Sequence, residues 1–396
     1  MRSMPGLLAH VISMATGMSD EQDAEWETLH AEVNALCKQG HYDRALALAK
    51  KELEVAEQSY GPDHYNVAKT LMNTGALYAS QNQQWKAEPL LKRALAIYEK
   101  VPEPDHRLVG ATLNGLARLY DAQGRYAEAE PLYERALITI EESFGPDHTD
   151  IALNACDLAF LYIHTCQYTD AEPLFERALT ICETAYGADH PNVARILIGL
   201  GGMYYCQDKL TEAEPLLERA LAVYEKTLGP DHAEVASALN SLGAVYQAQG
   251  KYDKTEPLCR RALAISEKTY GPKHPHVATM LNNLAVLHKV RGQHAEAEAL
   301  CKRALAIYED FLGPDNPGTA SGLSNLASLY LDQERYNEAE PLLKRAQTIW
   351  EKTLSPNDPR VAETLQDRAK LYRKTGREEE AEAFEERAEK IQAIER

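Results

Sequence analysis

The sequence has 396 residues and a formal net charge of −18, because 60 Asp and Glu outnumber 42 Lys and Arg. Such an acidic chain lacks the basic surface that nucleic-acid binding requires, and an anionic membrane surface would repel it. It also has no run of about 20 apolar residues that would span a bilayer.

Residues 1–20 do not follow the pattern of the rest of the chain, and we expect them to be an N-terminal extension. Their short apolar run and the small residues Ser13 and Ala15 resemble a signal peptide, but His10 interrupts the run. Met18 would make an ordinary start, so the extension is expected to be disordered or to lie upstream of the true start codon. Residues 21–396 are expected to form a single domain.

A 42-residue repeat fills that domain without an insertion or deletion. The motif Ala-Glu-Pro-Leu and its variants start at Ala87, Ala129, Ala171, Ala213, Thr255, Ala297, Ala339 and Ala381. A fixed period of this length predicts a solenoid of repeats instead of separate globular domains. The expected repeats lie near residues 24–60, 66–102, 108–144, 150–186, 192–228, 234–270, 276–312, 318–354 and 360–394.

Each repeat contains two apolar stripes at helical spacing. In the seventh repeat the first stripe runs from Leu281 to His288 and the second from Ala297 to Tyr308, with a turn at Gly292 between them. Two such helices pack as an antiparallel hairpin, and a lone hairpin leaves too much apolar surface in water to be stable. The sequence therefore predicts an all-α fold of about nine antiparallel helix hairpins.

The linkers between repeats mark the expected helix ends. Gly-Pro pairs follow the second helix of a repeat, since glycine supplies a positive φ and proline prevents continuation. These glycines are Gly61, Gly145, Gly229, Gly271 and Gly313. Aspartates that are expected to cap the next helix or to lie near its start are Asp63, Asp147, Asp189, Asp231 and Asp315. Prolines expected near the first turn of the second helix are Pro89, Pro131, Pro173, Pro215, Pro257 and Pro341.

Histidines and cysteines recur along the chain, but their spacing favours structural roles. Six histidines share one linker position: His64, His106, His148, His190, His232 and His274. Neighbouring packed helices lie about 8–10 Å apart, whereas a zinc–nitrogen bond is about 2 Å long, so equivalent histidines cannot share an ion by themselves. The seven cysteines include no Cys-x-x-Cys pair, and we expect small core residues in a reducing cytoplasm, with a redox role as the alternative.

Catalytic motifs are missing from the sequence, which contains no phosphate-loop, HExxH or GxSxG pattern. Gly199, Gly201 and Gly202 lie inside a predicted helix and not between a strand and a helix, so we interpret them as small residues for a close contact or a shallow pocket. We therefore predict that the protein is not an enzyme and has no catalytic residue, metal site or cofactor.

The repeat resembles the tetratricopeptide repeat. The residues that carry the resemblance are Leu284, Ala285, His288, Gly292, His294, Ala297, Cys301 and Ala304. The 42-residue period, the Gly-Pro-Asp-His linker and the Leu-Asn-Asn-Leu-Ala string are similar to those of kinesin light chains. Over residues 24–394, the resemblance implies a right-handed superhelical solenoid that binds proteins and does no chemistry.

The resemblance also implies which positions face a concave groove, where peptides bind. In the seventh repeat these are Thr279, Asn282, Asn283, Val286 and Lys289, with equivalents 42 residues away. In neighbouring repeats the polar columns contain Asn240 and Asn325, and amide side chains suit pairing with a peptide backbone. The resemblance assigns that role to the four asparagines.

The same columns are apolar in the fourth and fifth repeats. They contain Phe160, Ile163, Ile198 and Tyr205, and two arginines, Arg118 and Arg195, stand near them. This combination is expected to accept a peptide with an apolar anchor and acidic flanks. Superhelical closure or a dimer contact would also explain these apolar side chains, and both interpretations remain open.

The favoured function is a cytoplasmic, noncatalytic scaffold that binds an extended peptide of a partner protein, with no nucleic acid or membrane as partner. One alternative is a kinesin-light-chain-like cargo adaptor, although residues 1–23 are too short for the long heptad segment that precedes the repeats of such chains. The other alternative is a regulatory repeat subunit of a larger signalling or enzyme assembly. The oligomeric state is left open.

Overall fold

The computed structural model describes residues 20–39, 41–81, 83–101, 105–353 and 358–394. Within these ranges the chain forms eighteen α-helices and no strand, so the predicted all-α fold of about nine helix hairpins is confirmed. Except for Asp20, where the first helix begins, the expected N-terminal extension lies outside the described residues.

The helices alternate between the first and the second helix of a hairpin, with odd numbers for first helices. Their bounds are α1 Asp20–Lys38, α2 Tyr42–Tyr60, α3 Tyr65–Ser80, α4 Gln84–Lys100, α5 His106–Ala122, α6 Tyr126–Phe144, α7 Thr149–His164, α8 Tyr168–Tyr186, α9 Pro191–Cys206, α10 Leu210–Leu228, α11 Ala233–Ala248, α12 Tyr252–Tyr270, α13 Pro275–Val290, α14 His294–Leu312, α15 Pro317–Asp332, α16 Tyr336–Thr353, α17 Pro359–Lys374 and α18 Glu378–Ile394.

The chain divides into two packing units, residues 1–158 and 159–396, with the division inside α7. The described core of the first unit joins α1 to α6 through Trp26, Leu71, Tyr98 and Leu113. In the second unit each second helix packs on the first helix of the following hairpin, and clusters such as Cys259, Leu284 and Leu287 fill the space between hairpins. Small residues, including Ala285 and Ala304, are fully or almost fully buried, as the apolar stripes predict.

Glycines end the second helices in the predicted way. Gly61, Gly145, Gly187, Gly229, Gly271 and Gly313 have φ between 82° and 92°. A Cβ placed on any of them would meet no atom within 4 Å, so the backbone conformation is the reason for glycine at these positions, and crowding is not.

Histidines cap four of the following helices, and the aspartates before three of them, Asp63, Asp189 and Asp231, lie near the helix start, which is the second of the two roles expected for the aspartates. Nδ1 of His64, His190, His232 and His274 accepts a hydrogen bond from the backbone N–H two residues later, at 3.1–3.3 Å. His190 and His274 also stack on Tyr186 and Tyr270, the last residues of the preceding helices, with ring centroids 4.4 and 4.7 Å apart. The histidine column therefore has the structural role that its spacing predicts.

Two details of the linkers depart from the sequence-based expectation. His106 is the first residue of α5, and Asp105 caps that helix by accepting from the N–H groups of Arg107 and Leu108. Four of the repeated aspartates instead pair with lysines on the second helix of the hairpin that follows the linker, as in the 2.6 Å contact between Asp231 and Lys268 of α12. The carboxylate at this position is thus paired with a lysine, and the next residue forms the helix cap.

The repeated prolines lie deeper in the second helices than expected. Pro131, for example, is the sixth residue of α6, which begins at Tyr126. The first-turn prediction was wrong because these helices begin one turn earlier than the apolar stripe suggests. Each proline therefore removes one donor from the ladder of backbone hydrogen bonds.

Ion pairs between second helices recur at the repeat period. An arginine of one hairpin reaches a glutamate 36 residues earlier in Arg93–Glu57, Arg135–Glu99, Arg219–Glu183, Arg261–Glu225, Arg303–Glu267, Arg345–Glu309 and Arg387–Glu351, with N–O distances of 2.5–2.6 Å. The partners are partly exposed, so each pair contributes at most about 1 kcal/mol and acts mainly on the register of neighbouring hairpins.

Candidate peptide-binding face of the second unit

The first helices of successive hairpins touch one another in the second unit, from α9 through α11, α13 and α15 to α17. We call the partly exposed side chains of α9, α11, α13 and α15 the first-helix face. Because the 42-residue period brings the same column to each of these helices, residues that are distant in sequence become neighbours along this face.

An amide pair joins two helices of the first-helix face. Nδ2 of Asn283 on α13 donates a hydrogen bond of 2.5 Å to Oδ1 of Asn240 on α11, and both side chains are only partly buried. The bond uses one donor and one acceptor, whereas two asparagine amides together offer four N–H groups and two carbonyl oxygens. The structure thus brings together two of the four predicted asparagines.

The other two asparagines differ in environment. Asn325 is partly buried on α15, one repeat after Asn283 in the same column. Asn240 belongs to the adjacent column, which also contains Asn282. Asn282 is only 5% exposed, and its buried Oδ1 has no hydrogen-bond partner among the described residues. Its side chain therefore belongs to the packing between helices and is not on the surface of the first-helix face.

Lys289 links α13 to α15. Its Nζ lies 3.0 Å from a carboxylate oxygen of Asp332 and donates a hydrogen bond of 2.7 Å to Oγ of Ser328. The lysine is more buried than the aspartate, so the exposed part of this ion pair is mainly the carboxylate. Sequence reasoning identified the lysine as a groove residue but did not pair it with Asp332, which lies 43 positions away.

Some side chains of the predicted apolar patch pack against other residues of the second unit. The ring of Phe160 meets Phe175 edge-on, with centroids 5.4 Å apart. A Cβ on Gly199 would lie 2.5 Å from the ring of Phe175, which explains why glycine occupies that position and confirms the prediction of close packing. Ile198 packs against the core cluster that contains Leu217.

The remaining members of the patch are more accessible. Tyr205, near the end of α9, is 41% exposed, and Ile163 on α7 is partly exposed. Partial burial is the main cause that raises the pKa of Tyr205, with a smaller contribution from Cys206 and Asp208. Arg195 is partly buried, and its charge lowers the pKa of the Cys182 thiol, although burial raises that pKa more strongly.

Arg118 does not belong to this face. It is exposed on α5, in the first unit, whereas the other ten predicted site residues lie in the second unit. The site considered below is therefore confined to the second unit.

A basic depression lies at the turns beside the first-helix face. It has a volume of about 550 Å³ and is lined by Gly250, Lys251, Tyr252, Asp253, Lys254 and Arg291. Lys251 pairs with Glu214 at 2.8 Å, and Arg291 pairs with Asp253 at 3.0 Å, so most of its positive charge is already neutralised. The depression could not be predicted from the sequence because its charged residues come from two turns that are distant along the chain.

The described residues contain neither a cluster of metal ligands nor a membrane-spanning helix. Among them, no group of three or more His, Cys, Asp or Glu is arranged to hold a metal ion. In the same part of the chain, no helix combines the length and apolarity needed to cross a membrane.

Sequence comparison supports what the alternating helices indicate. The model of the family described as tetratricopeptide repeat matches residues 27–100, 86–137, 108–162, 149–226, 197–254, 234–310, 276–346 and 318–393. The chain belongs to the tetratricopeptide repeat family. No curated protein gives a significant match to this tetratricopeptide repeat protein.

Solved structures similar to this tetratricopeptide repeat protein include two relatives of comparable sequence identity. BtubC (BKLC) from P. vanneervenii is 26% identical, with a TM-score of 0.50 over 58% of this chain and 92% of that chain. A Podosopora anserina protein described as a kinesin light chain with nearly identical TPR-like repeats is 27% identical, with a TM-score of 0.42 over 52% and 98%. The tetratricopeptide repeat that the sequence predicts is confirmed by the family match.

A more distant structure covers nearly the whole tetratricopeptide repeat protein. Rap protein complexed with Competence and Sporulation Factor is 16% identical, with a TM-score of 0.68 over 96% of this chain and 100% of that chain. At this identity the likeness concerns the fold alone.

Proposed function

We propose that this tetratricopeptide repeat protein is a noncatalytic interaction scaffold that binds an extended peptide segment of a partner protein on the first-helix face. The Asn283–Asn240 pair carries the proposal, because it places partly exposed amides on adjacent helices. An extended peptide presents alternating N–H and C=O groups, and an amide side chain can both donate to and accept from such a backbone.

The ends of α7 and α9 support a preference within that function. Tyr205 and Ile163 offer accessible apolar surface, and Arg195 on the same helix as Tyr205 adds a cation. We therefore propose a peptide whose apolar anchor lies against Tyr205 and whose acidic residues flank it, while its backbone follows Asn240, Asn283 and Asn325. A buried aromatic anchor commonly contributes most of the binding free energy of a small interface.

The cytoplasm is the proposed compartment. None of the seven cysteines forms a disulfide, including the four buried ones, Cys156, Cys182, Cys259 and Cys301. Free thiols in this number are typical of a reducing environment.

The kinesin-light-chain type of the repeats supports a second candidate function. The 26% identical relative BtubC (BKLC) shares the repeat fold over most of its own length. An adaptor that connects cargo to a motor would use the same peptide-binding face, so the two functions differ in the partner and not in the chemistry of the site.

A peptide-display experiment tests the proposal. The full chain is used to select peptides from a random library, and the affinity of the enriched peptides is measured for the wild type and for the double variant Asn240→Ala/Asn283→Ala. Loss of two backbone-directed hydrogen bonds should weaken binding by about 10-fold or more. Asn337→Ala on the second helix α16, where Asn337 is exposed, is the matched control and should bind like the wild type.

Either of two results would contradict the proposal. Failure of the library to yield any enriched peptide would remove peptide binding as the function. Equal affinities of the double variant and the Asn337→Ala control would show that the peptide binds elsewhere.

A further inference from the structure

Two cysteines of the second unit share one tyrosine hydroxyl. The hydroxyl of Tyr168, at the start of α8, donates to Sγ of Cys166 over 3.6 Å. The same tyrosine hydrogen-bonds to the thiol of Cys206, the last residue of α9. Two thiols that contact a single oxygen atom are held close to each other, although 40 positions separate them in the sequence.

Cys166 lies at a turn position whose backbone is left-handed throughout the repeats. Its φ is 59°, Asp208 and Glu334 have φ of 58° at the equivalent positions, and Gly250, Gly292 and Gly376 have φ of 74–75°. The conformation therefore belongs to this turn of the repeat, and the hydrogen bond from Tyr168 is what holds the Cys166 thiol.

Accessibility separates this pair from the other cysteines. Cys206 is exposed and Cys166 is partly exposed, whereas Cys156, Cys182, Cys259 and Cys301 are buried. Cys37, the remaining cysteine, lies in the first unit. Oxidants in solution therefore reach the Cys166–Cys206 pair more easily than the four core thiols.

We propose that Cys166 and Cys206 are an oxidation site that closes to an intramolecular disulfide when the protein meets a peroxide. The bond would connect the turn after α7 to the C-terminal end of α9, next to Tyr205. It would form whether or not the first-helix face binds a peptide.

The reaction balances with hydrogen peroxide as the oxidant. One thiolate attacks a peroxide oxygen, so an S–O bond forms, the O–O bond breaks, and hydroxide leaves and takes a proton to become water. The second thiolate then attacks the sulfenic sulfur, an S–S bond forms, and the S–O bond breaks with release of a second water. Two thiols lose two electrons in total, and the peroxide gains them.

The environment of Cys206 makes this reaction depend on pH. Neighbouring atoms that shield the thiol raise the pKa of Cys206, the adjacent Cys166 raises it further, and the hydrogen bond from Tyr168 lowers it by less. Because the thiolate is the nucleophile, the disulfide should form faster as the pH is raised above neutrality.

Peptide mapping of the oxidised protein tests the site. The full chain is treated with hydrogen peroxide or, in a parallel sample, with diamide at mildly alkaline pH, the remaining thiols are alkylated, and the digest is analysed without reduction. The expected product is a cross-linked peptide containing Cys166 and Cys206, lighter than the two peptides together by two hydrogen atoms, and reduction should separate it. Cys206→Ser should abolish this product, and Cys37→Ser should leave it unchanged.

The competing outcomes are distinct. Alkylation of both Cys166 and Cys206 after diamide treatment, with no cross-linked peptide, would overturn the proposal, because the thiols would be accessible but unable to meet. Disulfides only between different molecules would overturn it as well.

Discussion

At the scale of single residues, a buried carboxylate is the feature that the repeat pattern did not predict. Glu52 on α2 is fully buried, and its Oε1 lies 2.7 Å from Nδ1 of His30 on α1 and accepts a 2.8 Å hydrogen bond from Thr70 on α3. Nε1 of Trp26 donates to the same threonine hydroxyl at 3.1 Å. One glutamate therefore connects three helices of the first unit.

Replacement of this glutamate should be costly. Glu52→Ala leaves the histidine and the threonine without their buried partner, and removal of one member of a buried polar pair typically destabilises a protein by about 3–5 kcal/mol. Urea unfolding monitored by circular dichroism measures the change. Glu54→Ala, at an exposed position of the same helix, is the control and should stay within about 0.5 kcal/mol of the wild type. Equal stability of the two variants would mean that the buried network contributes nothing.

At the scale of helices, a glutamate on a second helix contacts the turn between the two helices of the next hairpin. Glu298 on α14 accepts a hydrogen bond of 3.0 Å from the hydroxyl of Tyr330 on α15 and lies 2.7 Å from the guanidinium of Arg335, just before α16. Arg335 also lies over the ring of Tyr330, 4.0 Å from its centroid. Glu340 repeats the arrangement with Tyr372 and Arg377 one hairpin later.

These contacts make the stability of the array depend on pH. The hydrogen bond from Arg335 is the main cause that lowers the pKa of Glu298 from 4.5 to about 2, and Lys302 adds to it. Because the folded pKa lies below the unfolded value, the stabilisation is fully present above about pH 4.5 and is lost as the pH falls towards 2. Glu298→Gln should therefore be less stable than the wild type near neutral pH, and the difference should shrink with acidification.

Unfolding free energies of the wild type and Glu298→Gln across this pH range measure the effect. Glu296→Gln, exposed in the first turn of the same helix, should show no such pH-dependent difference. A constant gap between the wild type and Glu298→Gln at all pH values would show that the lowered pKa does not contribute to folding.

At the scale of the whole molecule, the sequence predicted the fold because its period is regular. Apolar residues at helical spacing, such as Leu281 and Leu284, predict which side of each helix is buried, and these residues are buried in the structure. The period does not state which side chains meet across neighbouring hairpins. The contact of Asn283 with Asn240 and the burial of Asn282 depend on distances between helices that no single repeat encodes.

The same reasoning explains the errors at the linkers. From the sequence, the aspartate and the histidine that follows it are both plausible caps. The aspartate is paired instead with a lysine on the second helix of the following hairpin, which no local pattern reveals, and the histidine forms the cap. Likewise, Phe160 and Ile198 were both expected in the groove columns, but the absence of a side chain at Gly199 leaves room for Phe160 to pack against Phe175. Local patterns therefore predict elements well and predict the composition of a surface less well.

A repeat array should respond locally to a cavity, because each hairpin contacts mainly its neighbours. Leu284 is 3% exposed on α13 and packs in a cluster with Cys259 of the preceding hairpin and Leu287. Leu284→Ala removes three buried carbon atoms there and should destabilise the protein by about 2–5 kcal/mol. Hydrogen exchange should increase most in α12, α13 and α14 and should change little in the first unit.

Val290→Ala, 51% exposed at the end of the same helix, is the control and should leave both unfolding and exchange unchanged. Uniformly faster exchange along the whole chain would mean that the hairpins unfold as one cooperative unit and not as an array of neighbour contacts.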